Sequence, residues 1–216
     1  MKPVRIWFEK HEDAKYISHL DLNRYMPRAI RRSKIPVWHT EGFNKHIYVN
    51  FALPLSMGYE SRRDCFEIRI DENKISVGEV FERLKDSMPT GIIITDITEP
   101  VMSFKQICYA NYTLTLNIGG DKIGFVKSVL TRPEIPVIKK SKSAEKEINL
   151  SDFMKNAEIK VCGDNITVNA DMPAGCRTNI NPSMIIQALN NCSEDCTVCI
   201  KTVRNGFKTE NFEDFR

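Results

Sequence analysis

The sequence predicts an α+β fold of two tandem ferredoxin-like (βαββαβ) halves with antiparallel sheets, the first spanning 1–104 and the second 105–216. Three observations predict it. The order strand, helix, strand, strand, helix, strand can be read twice along the chain. Cap and turn residues separate the segments. Hydrophobic residues make up 42% of the 216 positions and charged residues 27%, the balance of a globular chain with a real core.

In the first half, Val4 to Lys10 reads as a strand. Ser18 is a helix N-cap with Asp21 three residues on, and the helix runs to Arg32 or Ser33, before Pro36. Pro27 lies inside it and predicts a kink or a broken turn. Lys45 to Leu53 and Cys65 to Ile70 alternate as half-buried strands. Ser76 and Glu79 form a capping box for a helix carrying Val77, Val80, Phe81, Leu84 and Met88. Gly91 to Ile97 closes the half as a strand.

In the second half, Tyr109 to Ile118 alternates cleanly, and Asp121 is expected to cap a short helix through Leu130. The Lys-rich insertion near 131–151 reads as irregular, with a short extended piece at Val137-Ile138. Glu158 to Val161 and Asn165 to Val168 flank Gly163-Asp164, a hairpin signal. Asn181-Pro182 predicts a cap followed by proline at the first helical position. Thr197 to Lys201 is expected as the last strand, with a frayed tail from Asn205.

Composition excludes some classes. No run of 18 apolar residues occurs, so no membrane span is expected. The opening residues turn charged too early for a secretory signal. Seven cysteines, an odd number in a chain of this length, predict a reducing, cytoplasmic setting without a disulfide framework. Charge is uneven: residues 1–64 hold 12 Lys/Arg against 7 Asp/Glu and all four histidines, while the remainder is slightly acidic. A basic segment rich in His and aromatics predicts an anionic partner, most simply nucleic acid.

The strongest local signal is the first helix. Arg24, Arg28, Arg31 and Arg32 fall at i, i+4, i+7 and i+8, a single stripe, while Leu22, Tyr25, Met26, Ala29 and Ile30 fall largely on another. Guanidinium forks match phosphate oxygens bidentately, so such a row can track a nucleic-acid backbone. The competing reading is a solvated face chosen for helix propensity and solubility; Asp21, the only acid in the helix, gives it little support. Arg5, Lys34, Lys45, Arg62 and Arg63 lie near in sequence, and Lys139, Lys140 and Lys142 in the insertion extend the possible path.

Two polar, turn-forming loops follow, Thr40-Glu41-Gly42-Phe43-Asn44-Lys45-His46 and Phe51 to Ser61. With Tyr16 to Leu22, Arg28 to Ser33, Ile35-Pro36, Thr40 to Asn44, His46, Phe51 to Gly58 and Glu60-Ser61, the chain resembles the radical SAM-linked domains of unknown function. These stand beside, or fused behind, radical SAM proteins. Lys45 and Pro27 depart from that family's pattern. The resemblance implies a bacterial, cytosolic accessory protein associated with radical SAM chemistry and, through it, with RNA metabolism. It supplies no activity.

Site expectations follow. Arg24, Arg28, Arg31 and Arg32 are expected to hold RNA phosphates, with Lys45, Arg62 and Arg63 in the same nucleic-acid-binding set, and with His19, Gly42, Phe43, Asn44 and His46 contacting sugar or base and Phe43 available to stack. His19 and His46 are the candidate catalytic groups, as general acid or base, should the protein be a metal-independent ribonuclease or RNA-modifying enzyme. A third reading is a protein adaptor for a radical SAM enzyme, without RNA contact. Cys192, Cys196 and Cys199 have the C-x-x-x-C-x-x-C spacing of an iron–sulfur site, yet run into a predicted strand where Cys196 and Cys199 face opposite ways, so they are expected as small buried or half-buried residues rather than metal ligands. No phosphate-binding or dinucleotide-binding glycine motif, nucleophile elbow or H-E-x-x-H occurs, and no cofactor is predicted.

Overall fold

The computed structural model describes residues 1–117, 123–140, 145–163, 165–175, 178–192 and 198–216. They divide into two units, 1–104 with Arg216, and 105–215. The fold is mixed α+β, with antiparallel pairing within each unit.

The first unit comprises β1 (Lys2–Lys10), α1 (His19–Arg32), β2 (Asn50–Phe51), β3 (Glu60–Ile70), α2 (Val77–Lys85) and β4 (Ile92–Thr98). β1 lies between β4 and β3, and β2 pairs with β3. Val4, Ile6 and Phe8 alternate onto one face and pack with Phe66, Ile68, Ile70, Ile92 and Ile94 under the two helices. Burial of such side chains stabilises the unit by about 1.5–3 kcal/mol each. α1 begins as expected: the Ser18 hydroxyl oxygen accepts from the Asp21 amide at 3.1 Å. α2 begins with the full capping box between Ser76 and Glu79.

Two expectations in this unit are corrected. The broken turn, one of the two outcomes expected at Pro27, does not occur: α1 is continuous through it. Proline removes one N–H, and Leu22, Met26, Ala29 and Ile30 on either side of it bury into the core and hold the helix together. The strand expected over Lys45 to Leu53 shrinks to Asn50–Phe51. Its first part pairs locally instead, the Thr40 amide donating to the His46 carbonyl at 2.8 Å and the Tyr48 amide to the Trp38 carbonyl at 3.3 Å.

The second unit comprises β5 (Tyr109–Asn117), α3 (Ile123–Leu130), β6 (Pro136–Lys140), β7 (Glu145–Asn149), β8 (Lys155–Cys162), β9 (Asn165–Pro173), α4 (Ser183–Asn191) and β10 (Val198–Lys208). Its main sheet runs β10–β5–β9–β8. Leu114, Leu116, Ile166, Val168 and Met172 are buried with Val126, Val129, Ile185 and Leu189 of the helices. Asp121, Lys142, Asp164 and Cys196 lie outside the described residues.

Here too the structure differs. The Lys-rich insertion, read as irregular, folds into a two-stranded sheet of β6 and β7. Main-chain pairing makes it, with Val137 opposite Ile148 and Lys139, Lys140, Glu145, Lys146 and Glu147 charged, so no hydrophobic alternation announces it. α4 starts one residue later than predicted: Pro182 is the N-cap, and Asn181 Oδ1 accepts from the Ser183 amide at 2.9 Å. The tail from Asn205 is not frayed. β10 pairs with β5 as far as Lys208 opposite Tyr109, and Arg204, Phe207 and Phe215 are buried. Arg204 and Asn205 are polar enough to look like surface, yet they lie in the body of a strand.

Candidate nucleic-acid interface

α1 carries two stripes with identical spacing. Leu22, Met26, Ala29 and Ile30 are buried, and Arg24, Arg28, Arg31 and Arg32 are exposed. The second set is the first shifted by two residues, about 200° around the helix. The guanidinium groups therefore leave the side opposite the core. From Arg24 to Arg31 they span roughly 10 Å of helix. Arg24 has a loose contact to Asp21 at 3.7 Å, with both side chains more than half exposed; such a pair contributes at most about 1 kcal/mol. Among the described residues, Arg28 and Arg31 have no carboxylate within 4 Å. Arg32 is engaged: it donates to the Tyr25 hydroxyl at 2.9 Å and the Ser87 carbonyl at 3.2 Å. Ile17, Asp21, Arg24, Tyr25 and Arg28 line an open depression of about 490 Å³.

The turn from Thr40 to His46 is a hairpin tip. Gly42 takes φ 118°, a conformation that side chains rarely adopt, although a Cβ there would meet nothing within 4 Å. Phe43 is fully exposed, and Asn44, Lys45 and His46 are exposed with it. His46 closes the turn: its Nδ1 lies 3.0 Å from both the Thr40 hydroxyl and the Asn44 carbonyl. His19 has other surroundings, half-buried with its ring edge-on to Phe51 at 5.5 Å.

The family described as an uncharacterized protein conserved in bacteria (DUF2344) matches residues 3–182. The chain belongs to that family. No curated protein matches it significantly. A solved structure, the crystal structure of a Cbf5-Nop10-Gar1 complex, contains a chain of similar fold, with TM-score 0.51 and 10% identity over 96% of this chain. The present chain spans half the length of that one. At this identity the likeness concerns fold alone.

The other expected basic residues of this DUF2344 protein are less uniform. Arg62 and Arg63 on β3 are exposed, but the Arg63 guanidinium sits 4.2 Å over the buried Trp7 ring. Arg5 is sealed: its Nη2 donates to Glu67 at 2.6 Å and to the Met102 carbonyl, so it is no anion contact. Cys192 is exposed rather than buried, and Cys199 is half-buried. Among the described residues no group of His, Cys, Asp and Glu has metal-binding geometry.

Sequence reading missed two features of the first unit. One is the aromatic root of the hairpin: Trp38 and Tyr48 meet edge-to-face at 5.6 Å, with the exposed Arg69 guanidinium 4.9 and 5.3 Å from their rings. The other is a buried polar cluster where the sequence motifs converge. The Gly58 amide donates to the Lys15 carbonyl at 2.8 Å. Lys10, 2% exposed, donates to the Ile17 carbonyl at 2.9 Å. Ser61, fully buried, stands opposite Lys10 in the ladder, and its hydroxyl has no hydrogen-bond partner among the described residues. Strand alternation was the available signal: Lys10 continues the face of Val4, Ile6 and Phe8, and Asp64 that of Phe66, Ile68 and Ile70.

Proposed function

We propose that this chain is an RNA-binding accessory protein, with the arginine flank of α1 as its phosphate-binding surface. One observation carries the reading: Arg24, Arg28 and Arg31 are exposed along one line opposite the core, with no internal carboxylate holding Arg28 or Arg31 among the described residues. Unspent guanidinium donors in a row fit the spacing and charge of a nucleic-acid backbone better than they fit a solubility role. Phe43 supplies a solvent-facing ring on which a base can stack, with Gly42, Asn44 and Lys45 around it. Arg32, Arg62 and Arg63 are secondary contacts in this reading. The partner is RNA rather than DNA, and the setting is cytoplasmic.

Each unit is read as ferredoxin-like. Both have the spatial strand order fourth, first, third, second, and a helix after the first and third strands. The link to radical SAM proteins rests on the sequence motifs between Tyr16 and Ser61 alone. A catalytic role for His19 or His46 has less support, since His46 is occupied in closing its turn and His19 packs on a ring.

The test is RNA affinity measured across salt concentrations for the wild type and for Arg28→Ala with Arg31→Ala. A single strand loses about 0.7 units of log–log slope per phosphate contact removed, so the double variant should flatten the slope by about 1.4. Identical slopes would remove the proposal. A second reading, docking on a partner protein, has its own observation. Tyr16, Leu20 and Met57 are large, apolar and mostly exposed, and the Lys15–Gly58 hydrogen bond brings the Met57 loop to Tyr16. Capture of a radical SAM protein from cells, lost in Leu20→Asp and retained in the arginine variant, would favour it.

A further inference from the structure

The second unit carries a cavity that the α1 surface does not explain. It has a volume of about 340 Å³ and opens on the β10–β5–β9–β8 sheet, on the face turned away from Leu114, Val168 and Met172. Its lining is mostly amide and carboxylate, with Gly206, Phe207 and Lys208, the lysine held by Asp214, completing it. Asn111 stands opposite Asp171 in the ladder, and Thr113 opposite Asn169.

Hydrogen-bond accounting gives the cavity a sign. Asn111 Nδ2 donates to Asn169 Oδ1 at 3.1 Å and to Asp171 Oδ1 at 2.7 Å. Asn169 Nδ2 donates to Asn111 Oδ1 at 3.1 Å and to the Thr113 hydroxyl at 2.9 Å. Asn205 Nδ2 donates to Asn111 Oδ1 and the Thr113 hydroxyl, both at 2.7 Å. Asn156 Nδ2 donates to Asp171 Oδ2 at 2.8 Å. An amide NH₂ has two hydrogens, so three of the four amides have none left. Apart from one Asn156 N–H, what remains is acceptor capacity: lone pairs of Asp171, the second lone pair of Asn169 Oδ1, the Asn205 Oδ1 that has no partner among the described residues, and the Glu158 carboxylate at the rim.

Charge points the same way. Asp171 is 4% exposed, and its partners among the described residues are neutral amides. The other carboxylates of the lining have cations: Glu158 pairs with Lys160 at 2.9 Å, and Asp214 with Lys208 at 2.8 Å. A buried carboxylate held by dipoles alone is an uncompensated negative charge, and a cation settling over it recovers much of its lost solvation. A phosphate-bearing ligand is repelled by the same charge.

We propose that this pocket binds an alkylammonium or alkylguanidinium group, seated over Asp171 and donating to Asp171 and Asn169. Its source is either a free polyamine or a Lys or Arg side chain of another protein. The site stands independently of RNA binding at α1.

The test is titration of the full chain, ¹⁵N-labelled, with agmatine and spermidine, with N-acetyl-arginine amide in a second arm and 1,4-butanediol as a neutral control. Side-chain amide signals of Asn111, Asn156 and Asn169 should move with the cations and stay still with the diol. Asp171→Asn should weaken binding at least tenfold. Because that variant disturbs the amide network, Glu158→Gln at the exposed rim is the second one, with an expected loss of two- to threefold. Tighter binding of the free amines assigns a polyamine, and tighter binding of the capped arginine assigns a protein side chain. No shifts with any cation, equal shifts with the diol, or shifts that survive both substitutions overturn the proposal.

Discussion

The helix flank of the first unit and the asparagine pocket of the second are opposite solutions to one accounting problem. On α1, Arg28 and Arg31 offer guanidinium donors for which the described residues provide no carboxylate, and they stand in solvent. In the pocket, nearly every amide donor is consumed within the network and a buried carboxylate is left with dipoles only. Side chains of one chemistry are not equivalent across the molecule. Arg5 forms its bonds inside the fold and presents nothing, whereas Arg28 presents everything. The partner's sign therefore follows from what each region leaves unspent, not from the net charge of +3.

Charge reversal breaks the comparison hardest. Arg28→Glu with Arg31→Glu should cost well over 3 kcal/mol of RNA affinity, more than a hundredfold, because two charge-assisted contacts of roughly 1.5–3 kcal/mol each become repulsions. Filter binding at fixed salt reads it, and agmatine binding to the second unit should not change. Phe43→Ala comes next. Losing one stacked base costs about 1–3 kcal/mol, roughly 5- to 150-fold, with the salt slope unchanged. An unaltered affinity would remove Phe43 from the interface.

Ser18→Ala has a smaller effect and a different readout. It removes the cap of α1 and should lower the unfolding free energy by about 1 kcal/mol, seen as a lower denaturant midpoint. RNA affinity should hardly move while the helix remains folded. The least effect is on acid stability. The Ser76 backbone N–H, and after it the Ser76 hydroxyl, hold the Glu79 carboxyl below its ordinary value of 4.5. The stability this supplies is complete above 4.5 and is lost as pH falls through the lower folded value. Glu79→Gln should flatten the stability–pH curve in that acid window and leave it unaltered near neutrality.

Much of the fold was legible because its determinants are local. Ser18, Ser76, Pro36 and the Val4–Ile6–Phe8 alternation act within a few residues of themselves. The arginine stripe was legible for the same reason, since helical spacing alone places it opposite Leu22, Met26 and Ile30. The asparagine pocket was not legible. Asn111, Asn169 and Asn205 meet only through strand register across 94 residues of chain. β6 and β7 escaped because main-chain bonds hold a strand pair in which half of the side chains are charged. The end of β10 escaped because Arg204 and Asn205 look like surface residues while the ladder to β5 continues past them.

The most direct test is to watch the arginine Nε–H signals of the ¹⁵N-labelled protein while a single-stranded RNA is added. The account predicts that Arg24, Arg28 and Arg31 shift together and saturate at one stoichiometry, while the sealed Arg5 stays still. Unmoved signals on α1 in the presence of bound RNA would contradict it.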